Sequence, residues 1–174
     1  MDSYLNGLIE HGLLKGTYDP GKVGGLSPKF FWDRRTFLDC RGNLSIAPKN
    51  VTLGFNVRIL TQSHDMSRGE LGPVIDKRVV IEPHTFIGSF AVLYNCIIRH
   101  HAVVACGSVV RNKEVFPYTM VEGNPAKVVK RYIDGEWVRE DAITDFDYDD
   151  DTPVPTLVER LEALAQYAQR RRQE

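Results

Sequence analysis

The chain has 174 residues, of which 43% are hydrophobic and 26% charged, and its formal net charge is −1. This length fits one domain of ordinary size, and the near-zero charge gives no electrostatic reason to expect nucleic acid or a membrane surface as a partner. No segment approaches the roughly 20 apolar residues of a membrane span. The N-terminal stretch has the acidic residues Asp2 and Glu10 and many glycines, rather than the basic start and apolar core of a signal peptide, so we expect a cytoplasmic protein.

The first region in chain order, residues 1–37, mixes short apolar patches with glycine, proline and aromatic residues. We expect it to be a lead-in that packs on the main body.

Three cysteines follow along the chain, Cys40, Cys96 and Cys106, an odd number with no CxxC pair. They fit a reducing compartment and give no indication of a disulfide framework or a structural zinc site.

The central region, residues 38–131, carries branched apolar residues about six positions apart. This period fits neither an α-helix nor a simple strand, and it predicts short strands joined by tight corners, with each coil burying its apolar residues against its neighbours. An ordinary β-sandwich with chance spacing is the alternative. The residues of the repeat are Leu53, Ile59, Ile81, Ile87, Leu93, Ile98, Val104 and Val110.

The repeat fails between Ile59 and Val79, where the chain contains Gly69, Gly72 and Pro73. This predicts a long loop between two stretches of regular coil, and loops of such length in compact domains are usually functional or disordered. His64 lies in this loop.

The last region, residues 132–174, is predicted to be an acidic linker followed by a C-terminal α-helix. Six aspartates occur between Asp141 and Asp151, without the residue spacing of a calcium loop. Thr156 and Glu159 then form a capping-box pattern ahead of an apolar stripe. A helix packed on the body or on a neighbouring subunit is the simpler interpretation, and a partner-binding helix is the alternative.

A series of short motifs in the central region resembles one known family, the hexapeptide-repeat acyltransferases, over about residues 33–131. The motifs are similar to those of the sugar O-acetyltransferases of the maltose, galactoside and colanic-acid type. Two departures are Phe86, where the family usually has tryptophan, and a corner at residues 94–97 that is one residue short. The motifs are Leu38-Asp39-Cys40-Arg41-Gly42, Thr61-Gln62-Ser63-His64-Asp65, Val80-Ile81-Glu82, Phe86-Ile87-Gly88-Ser89, Gly107-Ser108-Val109-Val110 and Gly123-Asn124-Pro125-Ala126-Lys127.

The resemblance implies an all-β fold, a left-handed parallel β-helix. It also implies a homotrimer with active sites between subunits, acetyl-CoA as donor, a saccharide hydroxyl as acceptor, and no metal. An amino group on a nucleotide-linked sugar is the alternative acceptor.

Acetyl transfer to a hydroxyl requires a base, and a neutral imidazole is suited to that role near pH 7. His64 is the candidate, although a loop histidine can also simply cap a turn. A carboxylate could bind an acceptor hydroxyl or orient the imidazole, and a structural role at a corner is the alternative for each carboxylate. The candidates are Asp33, Asp39 and Asp65.

The resemblance implies a donor groove lined by the backbone at Ser89, Ala105, Cys106 and Arg111, where one N–H could stabilise an oxyanion. Lys127 and Lys130 would lie by the nucleotide end of acetyl-CoA, where ammonium groups suit a 3′-phosphate. Cys106 could instead act as a nucleophile. The two lysines could instead form a basic patch that is merely solvated.

Two other classes remain open. The γ-class carbonic anhydrases bind zinc through three histidines on a similar coil, and this chain has His84, His100 and His101. This chain lacks the pair of histidines five positions apart that the γ-class carbonic anhydrases have. A catalytically inactive β-helix scaffold is the other class, and coenzyme A binding distinguishes both from an acyltransferase.

Overall fold

The computed structural model describes residues 3–24, 26–133 and 135–139. The predicted C-terminal helix and most of the acidic linker lie outside these residues. The described part contains two helices, α1 (Ser3–Glu10) and α2 (Pro28–Arg34). It also contains fifteen short strands: β1 (Leu14–Gly16), β2 (Phe37–Cys40), β3 (Asn43–Ile46), β4 (Thr52–Leu53), β5 (Arg58–Leu60), β6 (Gln62–His64), β7 (Val74–Asp76), β8 (Arg78–Ile81), β9 (Phe86–Ile87), β10 (Val92–Ile98), β11 (Val103–Val104), β12 (Val109–Val115), β13 (Thr119–Gly123), β14 (Ala126–Ile133) and β15 (Glu136–Arg139).

The strands of the main body form three parallel ladders that the chain visits in turn. Ladder A contains β1, β2, β5 and the first halves of β10 and β12. Ladder B contains β3, β8 and the second halves of β10 and β12. Ladder C contains β4, β9, β11 and β13. Because successive strands join A, B and C in order and then return to A, the parallel sheet curls into a coil.

The core of the coil consists of one apolar stack per ladder. Every repeat residue predicted from the sequence lies in these stacks, fully or almost fully buried. Burying such a side chain contributes about 1.5–3 kcal/mol, so the stacks are the main stabilising feature of the coil. The stacks are Leu38, Ile59, Leu93 and Val110 in ladder A; Ile46, Ile81, Ile98 and Val115 in ladder B; and Leu53, Ile87, Val104 and Val121 in ladder C.

The corners of the coil use residues with a positive φ, which is rare for residues other than glycine and asparagine. Between ladders B and C these are Asn50, His84, His101 and Tyr118, each with φ between 56° and 61°. The rings of His84 and His101 stack at 4.6 Å and those of His101 and Tyr118 at 4.7 Å. We call these three stacked residues the corner column.

The two ends of the coil are covered differently. At the start, α1 and α2 bury Leu8 and Phe31, and β1 extends ladder A. At the other end, β13 turns back through Asn124 and Pro125 into β14, which pairs antiparallel with both β13 and β15. The parallel coil therefore ends in an antiparallel meander that carries the predicted Lys127 and Lys130.

Candidate active site

His64 lies where the sequence predicts an interruption of the coil. The chain leaves ladder A after β5, forms the hairpin β6–β7, and joins ladder B at β8. His64 is the last residue of β6, opposite Val74, and its side chain is exposed. A two-stranded hairpin on a rigid coil can hold a side chain in a defined position while leaving it open to a substrate.

The backbone carbonyl of Gly72 fixes the state of the His64 ring. Nδ1 of His64 is 2.9 Å from this oxygen. A carbonyl oxygen only accepts hydrogen bonds, so Nδ1 must carry the hydrogen and, in the neutral ring, Nε2 keeps its lone pair. The ring is thus set in the tautomer that can accept a proton through Nε2. The sequence analysis proposed only aspartates for this orienting role. Any residue can supply a backbone carbonyl, so no residue in the sequence could have indicated this partner.

Gly72 can approach the Asp65 carbonyl because it has no side chain. Its N–H donates to the carbonyl of Asp65 at 2.8 Å, and a Cβ at Gly72 would lie 2.6 Å from that same oxygen. The Asp65 carboxylate accepts a hydrogen bond from the Ser67 N–H at 2.9 Å. Hydrogen bonds from the backbone and the side chain of Ser67 lower the pKa of Asp65 below its usual value. Asp65 therefore shapes the loop that supplies the Gly72 carbonyl.

Asp39 is the only candidate aspartate that is fully buried, with 1% of its surface exposed. Its Oδ1 accepts a hydrogen bond from Nε of Arg41 at 2.7 Å, and its Oδ2 accepts one from the second guanidinium nitrogen at 3.0 Å. Burial alone would raise the pKa of Asp39, but hydrogen bonds from Arg41 and Thr61 outweigh it and keep the pKa below its ordinary value. Asp33, by contrast, is exposed on α2.

The predicted donor residues Ser89, Ala105 and Cys106 lie on the turns between ladders C and A. Turns of the coil are in close contact here, because a Cβ added to Gly88 would lie 2.5 Å from the N of Cys106. The side chain of Cys106 is exposed. The N–H of the preceding residue, Ala105, is used within ladder C, where it donates to the Val121 carbonyl. The result is a surface of closely packed backbone next to one exposed thiol.

Arg111, the remaining residue predicted for the groove, is exposed on β12 beside Tyr94.

Lys127 and Lys130 lie on β14. A spacing of three would put them on opposite faces of a regular strand. However, the register shifts between Met120 and Val121, so that Lys127 pairs with Glu122 and Lys130 with Met120. Glu122 and Met120 flank the inward-facing Val121. The irregularity therefore brings both lysines to the outer face of the sheet, where Arg139 pairs with Lys130.

The three histidines considered for zinc lie together at the corner between ladders B and C. His84 and His101 are stacked, and Nδ1 of His100 is 3.0 Å from Nδ1 of His101. Burial, followed by the charges of His84 and His100, lowers the pKa of His101. Within the described residues, no group of three or more His, Cys, Asp or Glu side chains is arranged to hold a metal ion.

Apart from Asp33 on α2 and Arg111 on β12, the predicted site residues occupy three places in the fold of a single chain. His64 and Asp65 lie on the hairpin, with Asp39 at its base. The donor residues lie on the turns between ladders C and A, and the lysines lie on β14. Over the described residues, no helix is long and apolar enough to cross a bilayer.

Comparison with known proteins finds no matching family model and no matching curated protein. Among solved structures, a maltose O-acetyltransferase from Clostridium difficile 630 is 32% identical over 47% of this chain and 45% of its own, with a TM-score of 0.44. A hexapeptide-repeat-containing acetyltransferase from Vibrio cholerae is 32% identical over 53% of this chain and 57% of its own, with a TM-score of 0.44.

A mutant of AntD, an N-acyltransferase from Bacillus cereus solved with dTDP and coenzyme A, is 18% identical over 50% of this chain and 52% of its own, again with a TM-score of 0.44. The chain spans about half the length of these structures. Hexapeptide-repeat acetyltransferases, the family that the sequence motifs resemble, are thus among the structures to which the chain is similar.

Proposed function

We propose that this protein is a hexapeptide-repeat acyltransferase that moves an acetyl group from acetyl-CoA to a hydroxyl of a sugar or saccharide, with His64 as general base. The observation that carries the proposal is the bond from Nδ1 of His64 to the Gly72 carbonyl, because it leaves Nε2 as the proton acceptor. The proposal includes the left-handed winding of the coil that the sequence resemblance implies.

The reaction is a direct transfer. Nε2 of His64 removes the hydroxyl proton of the acceptor while the acceptor oxygen attacks the thioester carbonyl of acetyl-CoA. The resulting tetrahedral oxyanion would be stabilised by a backbone N–H of the donor groove at Ser89 or Cys106. When the intermediate collapses, the carbon–sulfur bond breaks, and the thiolate of coenzyme A takes the proton from the imidazolium. No covalent enzyme intermediate forms, and no metal takes part.

Acetyl-CoA would lie along the turns between ladders C and A. The close contact between Gly88 and the turn at Cys106 supports this, because the backbone of the two turns meets there without a side chain between them, as a backbone-lined groove for the pantetheine arm requires. The shared outer face of Lys127 and Lys130 supports their assignment to the 3′-phosphate, since two ammonium groups on one face can act on one dianion. Arg111 would line the groove on the neighbouring strand.

We further propose a homotrimer with its active sites between subunits. Large apolar side chains on the hairpin and on the coil are exposed, and Leu71 (70%) and Phe90 (63%) are the most exposed of them. Phe90 is next to the half-exposed Phe55, whose carbonyl accepts its N–H at 2.8 Å, and exposed apolar groups that cluster in this way mark interaction sites. A hairpin from one subunit packed against the coil of the next would cover both groups and bring His64 to a donor groove. Asp33, exposed on α2, and Asp65, beside His64, remain candidates for contacts with the acceptor.

The proposal is tested by incubating the protein with acetyl-CoA and a panel of neutral sugars and nucleotide-linked amino sugars, while free thiol release is measured. Products are identified by mass spectrometry, and treatment with hydroxylamine distinguishes an O-acetyl ester, which it cleaves, from an N-acetyl amide, which survives. A labile ester on a sugar supports the proposal, and a stable amide establishes the amino-sugar alternative. Bound zinc without coenzyme binding would indicate the anhydrase class, and the absence of both would indicate a scaffold.

A further inference from the structure

The hairpin that carries His64 is attached to the coil through one narrow base. Its two strands join the coil at Thr61 and Lys77, where the Lys77 N–H donates to the Thr61 carbonyl at 2.8 Å. The Lys77 carbonyl in turn accepts the N–H of Asn43 from the preceding turn of the coil at 3.1 Å. Only two residues, Gln62 and Ser63, separate Thr61 at this attachment from His64. A displacement at Thr61 is therefore carried along a short strand to His64, the proposed general base.

Thr61 is completely buried and is held by Asp39 and Gly42 of the preceding turn. Its N–H donates to Oδ2 of Asp39 at 3.3 Å, and its hydroxyl donates to the Asp39 carbonyl at 2.6 Å. The Gly42 N–H donates to the same Thr61 hydroxyl at 3.0 Å. A Cβ at Gly42 would overlap the Thr61 carbonyl, so the two turns are in direct backbone contact.

The Asp39 carboxylate is able to hold Thr61 because Arg41 neutralises it. Arg41 donates from its backbone N–H and from two guanidinium nitrogens, while 42% of its side chain remains exposed. A buried carboxylate without such a partner would be strongly unfavourable. Both oxygens of Asp39 are thus engaged within the protein, one of them with both Arg41 and Thr61.

We propose that Asp39 and Arg41 together are positioning residues that hold the base of the hairpin and thereby set the place of His64, an inference that rests on the proposed function of His64. The pair does not touch the acceptor. It acts through Thr61, whose buried contacts leave the hairpin little freedom to rotate at its attachment. Misplacement of a reacting group by about 1 Å can lower a rate about a hundredfold, so such a device has a large effect without contact to the substrate.

The experiment compares Asp39→Asn and Arg41→Gln with a matched control, Arg99→Gln. Arg99 also bonds carboxylates, those of Glu82 and Glu114, but on ladder B and its following corner. Hydrogen exchange of residues 61–64 and 74–77 is measured without substrates, and the ¹⁵N shift of Nδ1 of His64 reports its tautomer. We expect exchange in these segments to rise about tenfold or more in both test variants, and the ¹⁵N shift to move, with neither change in the control.

Kinetics are measured on the same proteins. We expect kcat to fall about 10- to 100-fold in the test variants while KM for acetyl-CoA stays within about twofold, because only His64, the general base, is displaced and the donor groove is unchanged. If Asp39→Asn and Arg41→Gln both fail to fold, Arg41→Lys, which keeps a cation beside Asp39 but loses the paired guanidinium bonds, provides the same comparison.

Unchanged hairpin exchange and an unchanged ¹⁵N shift in folded variants would overturn the proposal, as would faster exchange with a normal kcat. If the wild-type protein transfers no acetyl group, the proposed function fails, and the exchange and ¹⁵N results still decide whether the pair holds the hairpin and His64.

Discussion

The Gly72→Ala substitution tests how the ring of His64 is held. An alanine Cβ would lie 2.6 Å from the Asp65 carbonyl oxygen, which is too close, and the clash is with backbone rather than with a flexible side chain. The loop must therefore shift, which lengthens or breaks the 2.9 Å hydrogen bond from Nδ1 of His64 to Gly72. A hydrogen bond of this kind contributes about 0.5–1.5 kcal/mol. Its loss should lower the fraction of the reactive tautomer, and with it kcat, by about two- to twelvefold.

The assay is the initial rate of thiol release from acetyl-CoA at saturating acceptor, with the ¹⁵N shifts of His64 recorded in parallel. Gly69→Asn is the matched control, because Gly69 lies in the same loop with open space around its Cα, and asparagine tolerates its φ of +77°. We expect the control to keep both its rate and its ¹⁵N shifts. A Gly72→Ala protein with wild-type kcat and an unchanged Nδ1–H tautomer would refute the role of the Gly72 carbonyl.

Three further predictions follow from other parts of the fold. Replacing Lys127 and Lys130 together by glutamine should raise KM for acetyl-CoA several-fold with little change in kcat, and should abolish discrimination against dephospho-coenzyme A; unchanged donor affinity at low salt would contradict the assignment. Light scattering at micromolar concentration should give the mass of a trimer, and a stable, active monomer would exclude the shared site. Because the pKa of His101 is lowered in the folded protein, the folded state binds fewer protons, so its contribution to stability is complete above about pH 6.5 and is lost as the pH falls. His101→Asn should therefore reduce the loss of stability between pH 7.5 and 5.5 in urea denaturation, and an unchanged pH dependence would show that His101 is not the source of that loss.

The six-residue repeat was the part of the fold that the sequence predicted best. The reason is physical: each short strand contributes one inward-facing apolar residue, so the core residues recur at a regular spacing along the sequence. Ile87, Leu93 and Val104 are all completely buried, as predicted. The interruption after Ile59 was likewise visible as a failure of the same step, and the hairpin lies there.

The features that the sequence did not indicate depend on contacts between distant residues. The partner of His64 is a backbone carbonyl, which any residue could supply, so its identity follows only from the folded loop. The shared face of Lys127 and Lys130 depends on a register irregularity that their spacing of three does not indicate. The engagement of Asp39 by Thr61, 22 positions away, required the stacking of two turns.

The central claim is that Nε2 of His64 removes the acceptor proton. It is tested most directly by comparing His64→Ala with the wild-type protein in acceptor-dependent thiol release, with coenzyme A affinity measured on both by calorimetry. Because His64 is exposed at the end of β6, its removal should leave the fold and the donor affinity unchanged. We expect turnover to fall at least about a hundredfold, as for the loss of a general base. A correctly folded His64→Ala protein that binds coenzyme A and turns over at a near-normal rate would contradict the account.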